Sequence, residues 1–173
     1  MNSALLPSAC RLVELPGHVA VNRALLAGFL AARDAPDLRR SHWLEGRYEN
    51  LYVPRQRLPA IEAVLALAVR ETQALLGIDF PLRAGFWFNA MEPGQRTLPH
   101  THDDDDELMS AVYYVQVSPG SGDLLLGDPP ARIEPRAGRM VLFPPDLPHE
   151  VTVNRSDRLR LSIGINVGPE QVD

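Results

Sequence analysis

Hydrophobic and polar positions follow two different periods in this chain, one before Phe80 and one after it. In residues 58–76 the apolar side chains recur at helical spacing, and Gly77 stands where a C-terminal cap belongs. A second helix is predicted over residues 23–33, with Asn22 as its N-cap. We expect both helices to cover one face of a sheet.

Beyond Phe80 the apolar residues alternate with polar ones, which is the period of strands. Turns rich in proline and glycine separate the alternating segments. The predicted strands cover residues 82–90, 108–117, 122–127, 132–134, 139–143, 150–153 and 158–167. Short strands at this spacing, with no helical segment between them, are typical of antiparallel pairing in a sandwich or jelly roll. Shorter strands are predicted over residues 11–16 and 51–54, and residues 37–50 have no assignment.

The predicted fold is therefore mainly β with flanking α. It is a double-stranded β-helix, a cupin-like jelly roll, with N-terminal helices packed on the sheet. The length of 173 residues suits one domain, residues 1–173. Within it we expect residues 1–80 to form a helical N-terminal part and residues 81–168 to form the jelly-roll core.

Composition and charge narrow the class of partner. A net charge of −5 argues against a nucleic-acid partner, which would favour a basic face. Cys10 is the single cysteine, so there is no disulfide framework, and a reducing compartment fits. No apolar run approaches the ~20 residues of a membrane-spanning helix. We therefore predict a cytoplasmic protein with no membrane partner.

Candidate metal ligands cluster just before the second predicted strand. His100 and His102 are one residue apart and precede an acidic run, residues 103–107. On a strand, residues i and i+2 point to the same side, roughly 7 Å apart. His100 and His102 can thus bind one ion, and His149 can supply a third ligand from another strand. Imidazole and carboxylate ligands suit Fe(II), Mn, Zn or Ni.

Two alternatives stay open for this cluster. His102, Asp103 and Asp104 form a His-x-Asp triplet, so Asp104 can take the place of His100 in the ligand set. The plainer alternative is a pair of surface histidines beside a solvated acidic loop.

The last predicted strand alternates without a break. Its apolar side chains fall on one side, and the other side carries Arg158, Arg160, Ser162, Gly164 and Asn166. In a jelly roll with helices outside, the polar side lines the cavity. Arg160 and Ser162 would there suit a carboxylate, because arginine–carboxylate pairs are bidentate and strong once desolvated. The alternative is a half-buried strand with its polar side in water.

Six segments, read in order, carry a family resemblance: PHTH, LMSAVYYV, GSGDLLLGDP, PRAGRMVLFP, LPHEV and RLRLSIGINV. Together they resemble the 2-oxoglutarate- and Fe(II)-dependent oxygenases, in particular the small bacterial members of that superfamily. The likeness runs over residues 83–168. The family's order is His-x-Asp or His-x-His, then a distal histidine, then Arg-x-Ser.

The resemblance implies an enzyme, a 2-oxoglutarate-dependent dioxygenase that uses Fe(II), 2-oxoglutarate and O2. It would hydroxylate an unactivated C–H bond of a small or peptidic substrate and release succinate and CO2. His102, His149 and Arg160 are implied as catalytic residues, with His149 as the distal iron ligand. Arg160 and Ser162 are implied to bind the distal carboxylate of 2-oxoglutarate.

The first ligand pair departs from the family pattern. Counted forward from Gly94, the pattern reaches His100 and His102, whereas counted back from residues 110–114 it reaches His102 and Asp104. Both sets contain His102 and His149.

Aromatic and amide side chains on neighbouring strands complete the predicted cavity. We expect it to include Trp87, Asn89, Tyr113 and Tyr114, with Asn89 and Tyr113 in contact with the cosubstrate. The alternative is that the aromatic residues belong to the core.

Two rival functions are retained. Gly94, His100, His102 and Glu107 match the first cupin motif, which suggests a cupin-type metalloenzyme that does not use 2-oxoglutarate. That hypothesis leaves Arg160 without a role. The other rival is a metal-free, non-enzymatic jelly-roll binding module.

The sequence indicates the class of substrate only broadly. We expect a small molecule or a peptide, and the acidic run favours a cationic group on it. A homodimer is left open.

Overall fold

Two antiparallel sheets form the framework of the protein. The computed structural model describes residues 6–101 and 106–170. Within these ranges the elements are β1 (Arg11–Glu14), α1 (His18–Ala32), β2 (Arg39–Leu44), β3 (Arg47–Tyr52), a 3₁₀ turn (Arg55–Arg57), α2 (Ile61–Leu76), β4 (Leu82–Met91), β5 (Thr97–His100), β6 (Met109–Gln116), β7 (Leu124–Leu126), β8 (Ala131–Ile133), β9 (Arg139–Phe143), β10 (His149–Val151) and β11 (Arg160–Pro169). The predicted fold class is confirmed.

Strand β11 lies at the centre of the larger sheet, whose order is β1-β9-β6-β11-β4-β3-β2. It pairs with β4 from Arg160 opposite Met91 to Pro169 opposite Leu82, and it pairs with β6 on its other side. The smaller sheet has the order β5-β10-β7-β8. From β4 to β11 the chain passes back and forth between the sheets, as a double-stranded β-helix requires.

The two faces of the larger sheet meet different partners. One face packs against the helices in a core that includes Phe29, Leu65 and Ile163. The other face packs against the smaller sheet in a core that includes Leu124 and Val141. The central strands β6 and β11 of the larger sheet are thus buried on both faces.

The alternation of the last strand is confirmed. Its apolar side chains belong to the core under the helices: Leu161, Ile163, Ile165 and Val167. Arg160, Ser162 and Gly164 line a pocket on the opposite face. A charged guanidinium is therefore directed into the space between the sheets by strand geometry alone.

The helix ends differ in how well the sequence predicts them. Gly77 ends α2 in the left-handed conformation, with φ of 66°, as predicted. Helix α1 begins earlier than expected, after Gly17, and Asn22 lies inside it rather than at its N-cap. Neither of the two helices in the described ranges is long and apolar enough to cross a membrane.

The N-terminal part is mixed rather than helical. Residues 37–50, which had no assignment, form most of the β2–β3 hairpin, in which Trp43 pairs with Tyr48. Glu45 and Gly46 turn the chain with φ of 45° and 88°. The hairpin joins the larger sheet through Leu51, opposite Phe88 of β4. Polar residues dominate it, which explains why periodicity alone does not reveal it.

Asn22 fastens α1 to β6 at the helix-side face of the larger sheet. Its buried amide nitrogen donates to the carbonyl oxygens of Tyr114 and Val115, at 3.2 and 2.9 Å. Its amide oxygen accepts a hydrogen bond from the Tyr113 hydroxyl at 2.7 Å. An asparagine that would be unfavourable inside an exposed helix is satisfied here by a strand.

Replacing Asn22 by leucine should therefore destabilise the protein. We expect Asn22→Leu to lower the free energy of unfolding by about 2–4 kcal/mol, because it leaves the buried Tyr113 hydroxyl and strand carbonyls without this partner. Urea unfolding measures it. The control Tyr113→Phe removes one hydrogen bond and should cost about 1 kcal/mol. Equal effects of both variants would contradict the fastening role.

Candidate functional site

Two histidines meet at the edge of the smaller sheet. His100 ends β5, His149 begins β10, and the two residues are directly paired in the antiparallel register. Their ring centroids lie 4.2 Å apart, and the Phe143 ring packs 4.7 Å from that of His149. Because the pairing is set by backbone hydrogen bonds, the two imidazoles are brought together by the sheet itself.

The hydrogen bonds of these imidazoles fix which nitrogen carries the proton. Nδ1 of His100 lies 2.8 Å from the Leu98 carbonyl oxygen, and Nδ1 of His149 lies 3.0 Å from that of Leu147. A carbonyl oxygen only accepts, so each Nδ1 is the donor and the lone pair of the neutral ring is on Nε2. This arrangement is typical of histidines that bind a metal ion through Nε2.

The third predicted metal ligand lies outside the residues that the structure describes. His102 and Asp104, both predicted as metal ligands, fall in residues 102–105, which are not described. Within residues 6–101 and 106–170, no group of three His, Cys, Asp or Glu side chains gathers to hold a metal ion. The described contribution to a metal site is thus the imidazole pair of His100 and His149.

The described end of the acidic run is tied to the scaffold. Asp106 forms an ion pair with Arg83 of β4. The Glu107 carboxylate accepts a hydrogen bond from the Asn166 amide, four residues along β11 from Ser162. Glu107 is not among the residues that line the pocket. Its position therefore counts against the cupin hypothesis, which needs it as a metal ligand.

A pocket between the sheets, the inner pocket, extends from the histidine pair to Arg160. Its cavity volume is about 50 Å³. Its lining consists of Trp87, Asn89, Thr97, His100, Val112, Leu124, Phe143, His149, Val151, Arg160, Ser162 and Gly164. Most of the predicted site residues that are described thus lie around one space.

Arg160 is a fully buried charged group in the inner pocket, and its hydrogen bonds are incomplete. Its side chain is buried, with 0% of the residue exposed, and Nη1 donates to the Ser162 hydroxyl at 2.9 Å. Nε and Nη2 are buried with no hydrogen-bond partner among the described residues. Burial lowers the pKa of Arg160. An unpaired buried guanidinium is costly, so this group requires an anion.

Tyr114 belongs to the same site. Its ring centroid lies 5.3 Å from Cζ of Arg160, and its buried hydroxyl makes no well-formed hydrogen bond within the described ranges. Burial raises the pKa of Tyr114 to about 12, so the hydroxyl remains a proton donor at neutral pH. The Tyr114 hydroxyl and the Arg160 guanidinium also interact with each other, and together they offer donors suited to one carboxylate.

Tyr113 corrects the sequence-based prediction. It was expected to contact a cosubstrate, but it lies in the helix-side core, where its hydroxyl donates to Asn22. Adjacent strand residues point to opposite faces, so Tyr114, not Tyr113, faces the smaller sheet. Strand β6 is apolar on both faces, and its pattern therefore does not distinguish the two tyrosines.

Asn89 and Trp87 lie where they were predicted, on the inner-pocket wall. Asn89 is opposite Ser162 in the β4–β11 register. The Trp87 indole crosses Gly164 so closely that a Cβ atom there would lie 2.4 Å from the ring. Glycine at position 164 thus gives the indole its place in the wall.

Arg47 supports the site from the hairpin and is not predicted from the sequence. Its guanidinium spreads hydrogen bonds over β3, β4 and the start of β5. The acceptors are Asn89 Oδ1 at 3.3 Å, Ala90 O at 3.3 Å, Glu49 Oε1 at 3.3 Å, Arg96 O at 2.8 Å and Thr97 Oγ1 at 3.4 Å. Arg47 therefore orients Asn89 and holds the strand that carries His100.

The inner pocket combines an imidazole pair with an anion site. Residues 86–168 match the family model of the 2OG-Fe(II) oxygenase superfamily. The jelly-roll part of the chain is thus similar to that superfamily. The superfamily uses Fe(II), 2-oxoglutarate and O2. Comparison with curated proteins returned no match.

Solved structures share the fold of this chain. A prolyl-4-hydroxylase from Pseudomonas putida has a TM-score of 0.72 and 23% identity, with 94% of each chain covered. A prolyl hydroxylase from Trichoplax adhaerens, in complex with a hypoxia inducible factor peptide fragment, has a TM-score of 0.70 and 12% identity over 94% of this chain and 84% of that one. The epimerase SnoN, in complex with Fe³⁺, alpha ketoglutarate and nogalamycin RO, has a TM-score of 0.72 and 16% identity. The match covers 93% of this chain and 79% of that one.

The described residues fit the cofactors of the family. His100 and His149 offer imidazole nitrogen donors, which suit Fe(II). The unpaired nitrogens of Arg160 match the planar, bidentate geometry of a carboxylate. Both features line the inner pocket, whose apolar residues Leu124 and Phe143 limit access of water.

Removing the Arg47 guanidinium should loosen this site. We expect Arg47→Met to lower the free energy of unfolding by about 2–4 kcal/mol, because several partly buried acceptors lose their donor. Urea unfolding measures the change. Arg96→Met is the matched control, since Arg96 forms an exposed ion pair with Glu45 and should cost less than about 1 kcal/mol. A cost for Arg47→Met no larger than that of the control would show that Arg47 does not hold the site.

Proposed function

We propose that this protein is a 2-oxoglutarate- and Fe(II)-dependent oxygenase that hydroxylates a C–H bond of a small molecule or a peptidic group and releases succinate and CO2. The observation that carries the proposal is Arg160, a buried guanidinium with two unpartnered nitrogens in the same pocket as the His100–His149 pair. A dicarboxylate that reaches from a metal ion to an arginine satisfies both features at once.

The proposed metal ligands are Nε2 of His149 and of His100, together with a third group from residues 102–105. The direct pairing of His100 with His149 supports the set His100, His102 and His149. Asp104 is the alternative to His100. When bound, Fe(II) with 2-oxoglutarate and O2 supplies the oxidation, in which one oxygen atom enters the substrate and the other enters succinate.

The proposed cosubstrate contacts come from the larger sheet. Arg160 binds the distal carboxylate through Nε and Nη2, and Ser162 holds Nη1 in place at 2.9 Å. The Tyr114 hydroxyl donates to the same carboxylate. The Asn89 amide lies on the neighbouring strand, opposite Ser162, and orients the cosubstrate from the side.

The walls of the inner pocket keep water away from the reacting groups. Val112, Leu124, Phe143 and Val151 contribute apolar side chains to its lining. In such surroundings a charge-assisted hydrogen bond is stronger than in water. Arg160 therefore holds a carboxylate firmly without a second cation.

The proposed setting of the enzyme follows from its charge and composition. The net charge of −5 supports a substrate other than nucleic acid, and the single cysteine supports a cytoplasmic location away from membranes. Every residue named in the proposed site comes from one chain, so the proposal requires no second copy.

Binding of 2-oxoglutarate should depend on Arg160. In an anaerobic titration of the Fe(II)-loaded protein, followed by the metal-to-cosubstrate charge-transfer band, we expect Arg160→Met to weaken 2-oxoglutarate affinity by about 100-fold, since a desolvated charge pair is lost. Iron affinity should be unchanged. Arg158→Met, an exposed arginine just before β11, is the control and should bind as wild type. Wild-type affinity in Arg160→Met would contradict the proposal.

Iron binding should discriminate between the ligand sets. We expect His149→Ala and His102→Ala to lower Fe(II) affinity by more than about 100-fold, which exceeds the usual loss from residues behind the ligands. If the first set is correct, His100→Ala behaves in the same way and Asp104→Ala retains iron. The reverse result for His100 and Asp104 would select the other set. Iron retained by both variants would contradict both sets.

A further inference from the structure

A second cleft, the outer cleft, opens beside the inner pocket and shares Trp87, Asn89, Thr97 and His100 with it. Its cavity volume is about 230 Å³. The walls that it does not share come from β5 and the following Thr101, and from the β2–β3 hairpin, which contributes His42, Glu49 and Asn50. A molecule in the outer cleft therefore lies against His100, beside the proposed metal site.

The two spaces differ in the charged side chains that line them. The described lining of the inner pocket contains Arg160 and no carboxylate. The described lining of the outer cleft contains Glu49 and neither arginine nor lysine. An anion such as 2-oxoglutarate is thus attracted to the inner pocket and disfavoured in the outer cleft.

Glu49 is held rigidly but only partly neutralised. Its side chain is 16% exposed, and its Oε1 atom lies 3.3 Å from Nη2 of Arg47. That same Nη2 also donates to the Arg96 carbonyl oxygen at the shorter distance of 2.8 Å. A carboxylate accepts up to about four hydrogen bonds, so Glu49 retains capacity for a ligand donor.

His42 and Asn50 extend the polar wall beside Glu49. His42 has the left-handed φ of 57°, which is uncommon for a residue other than glycine. Its Nδ1 is held by the Ser41 hydroxyl at 2.8 Å and by the Asn50 amide nitrogen at 3.1 Å. Such a backbone conformation persists only when its surroundings enforce it, and it is frequent at ligand-binding positions. The hairpin therefore presents a fixed polar surface to the outer cleft.

We propose that the outer cleft binds the group to be oxidised and that Glu49 selects substrates with a primary ammonium or a guanidinium group. This inference rests on the proposed function, because it places the substrate beside the iron site. The hairpin thereby determines specificity, whereas the larger sheet binds the cosubstrate. Charge attraction at a mostly buried carboxylate favours the cation over a neutral group of the same shape.

Matched probes and a matched variant test the proposal. The probes are Nα-acetyl-L-lysine amide against Nα-acetyl-L-norleucine amide, and Nα-acetyl-L-arginine amide against Nα-acetyl-L-citrulline amide, so that only the side-chain charge differs. They are titrated calorimetrically into the anaerobic protein loaded with Fe(II) and 2-oxoglutarate. The variant is Glu49→Gln, which keeps the shape of the side chain and removes its charge. The control is Glu45→Gln on the same hairpin, where Glu45 pairs with Arg96, is 52% exposed and does not line the cleft.

We expect each cationic probe to bind wild-type protein at least about tenfold more tightly than its neutral counterpart, the preference expected of a charge-assisted hydrogen bond over a neutral one. Glu49→Gln should abolish that preference, Glu45→Gln should retain it, and 2-oxoglutarate affinity should be unchanged in both. Equal binding of cationic and neutral probes, or a preference that survives in Glu49→Gln, would overturn the proposal. Failure of wild-type protein to bind 2-oxoglutarate would instead overturn the proposed function.

Discussion

A guanidinium that is buried without a full set of partners is the constraint on which the rest of this structure depends. Arg160 is inside the molecule because it alternates with apolar residues on β11, the central strand of the larger sheet. Water is excluded from it, and within the described residues Nε and Nη2 have no acceptor. Such a group destabilises the folded protein unless an anion forms an ion pair with it and accepts its hydrogen bonds. The fold therefore contains a requirement for a ligand, not merely room for one.

The other parts of the site are arranged around that requirement. The smaller sheet brings His149 and His100 side by side at one end of the same pocket. The hairpin supplies Arg47, whose hydrogen bonds tie Asn89 and the strand of His100 to one another. Two sheets and one hairpin thus fix the relative positions of an imidazole pair and an anion site. The similarity of residues 86–168 to the 2OG-Fe(II) oxygenase superfamily suggests a chemical role for both features.

The sequence predicts this architecture best where one face of an element is apolar and the other is not. The strict alternation around Arg160 and Ser162 correctly assigns the side of β11 that faces the pocket, and the glycine after α2 correctly marks the helix end. Strand β6 is apolar on both faces, so its pattern carries no information about which tyrosine faces the cavity. Asn22 resembles a helix cap because its tertiary partners on β6 are invisible in the sequence. The hairpin is stabilised by polar contacts such as those of Arg47, which leave no periodic signal.

The central claim is that a carboxylate of 2-oxoglutarate forms an ion pair with the Arg160 guanidinium and accepts its unpartnered hydrogen bonds. The most direct test is the side-chain Nε–H resonance of Arg160 in ¹⁵N-labelled protein, assigned by its disappearance in Arg160→Lys and followed during titration with 2-oxoglutarate in the presence of Zn(II). The account predicts a large, saturable shift of this resonance and slower exchange of its proton with water. A resonance that does not respond while 2-oxoglutarate binds elsewhere on the protein would contradict it.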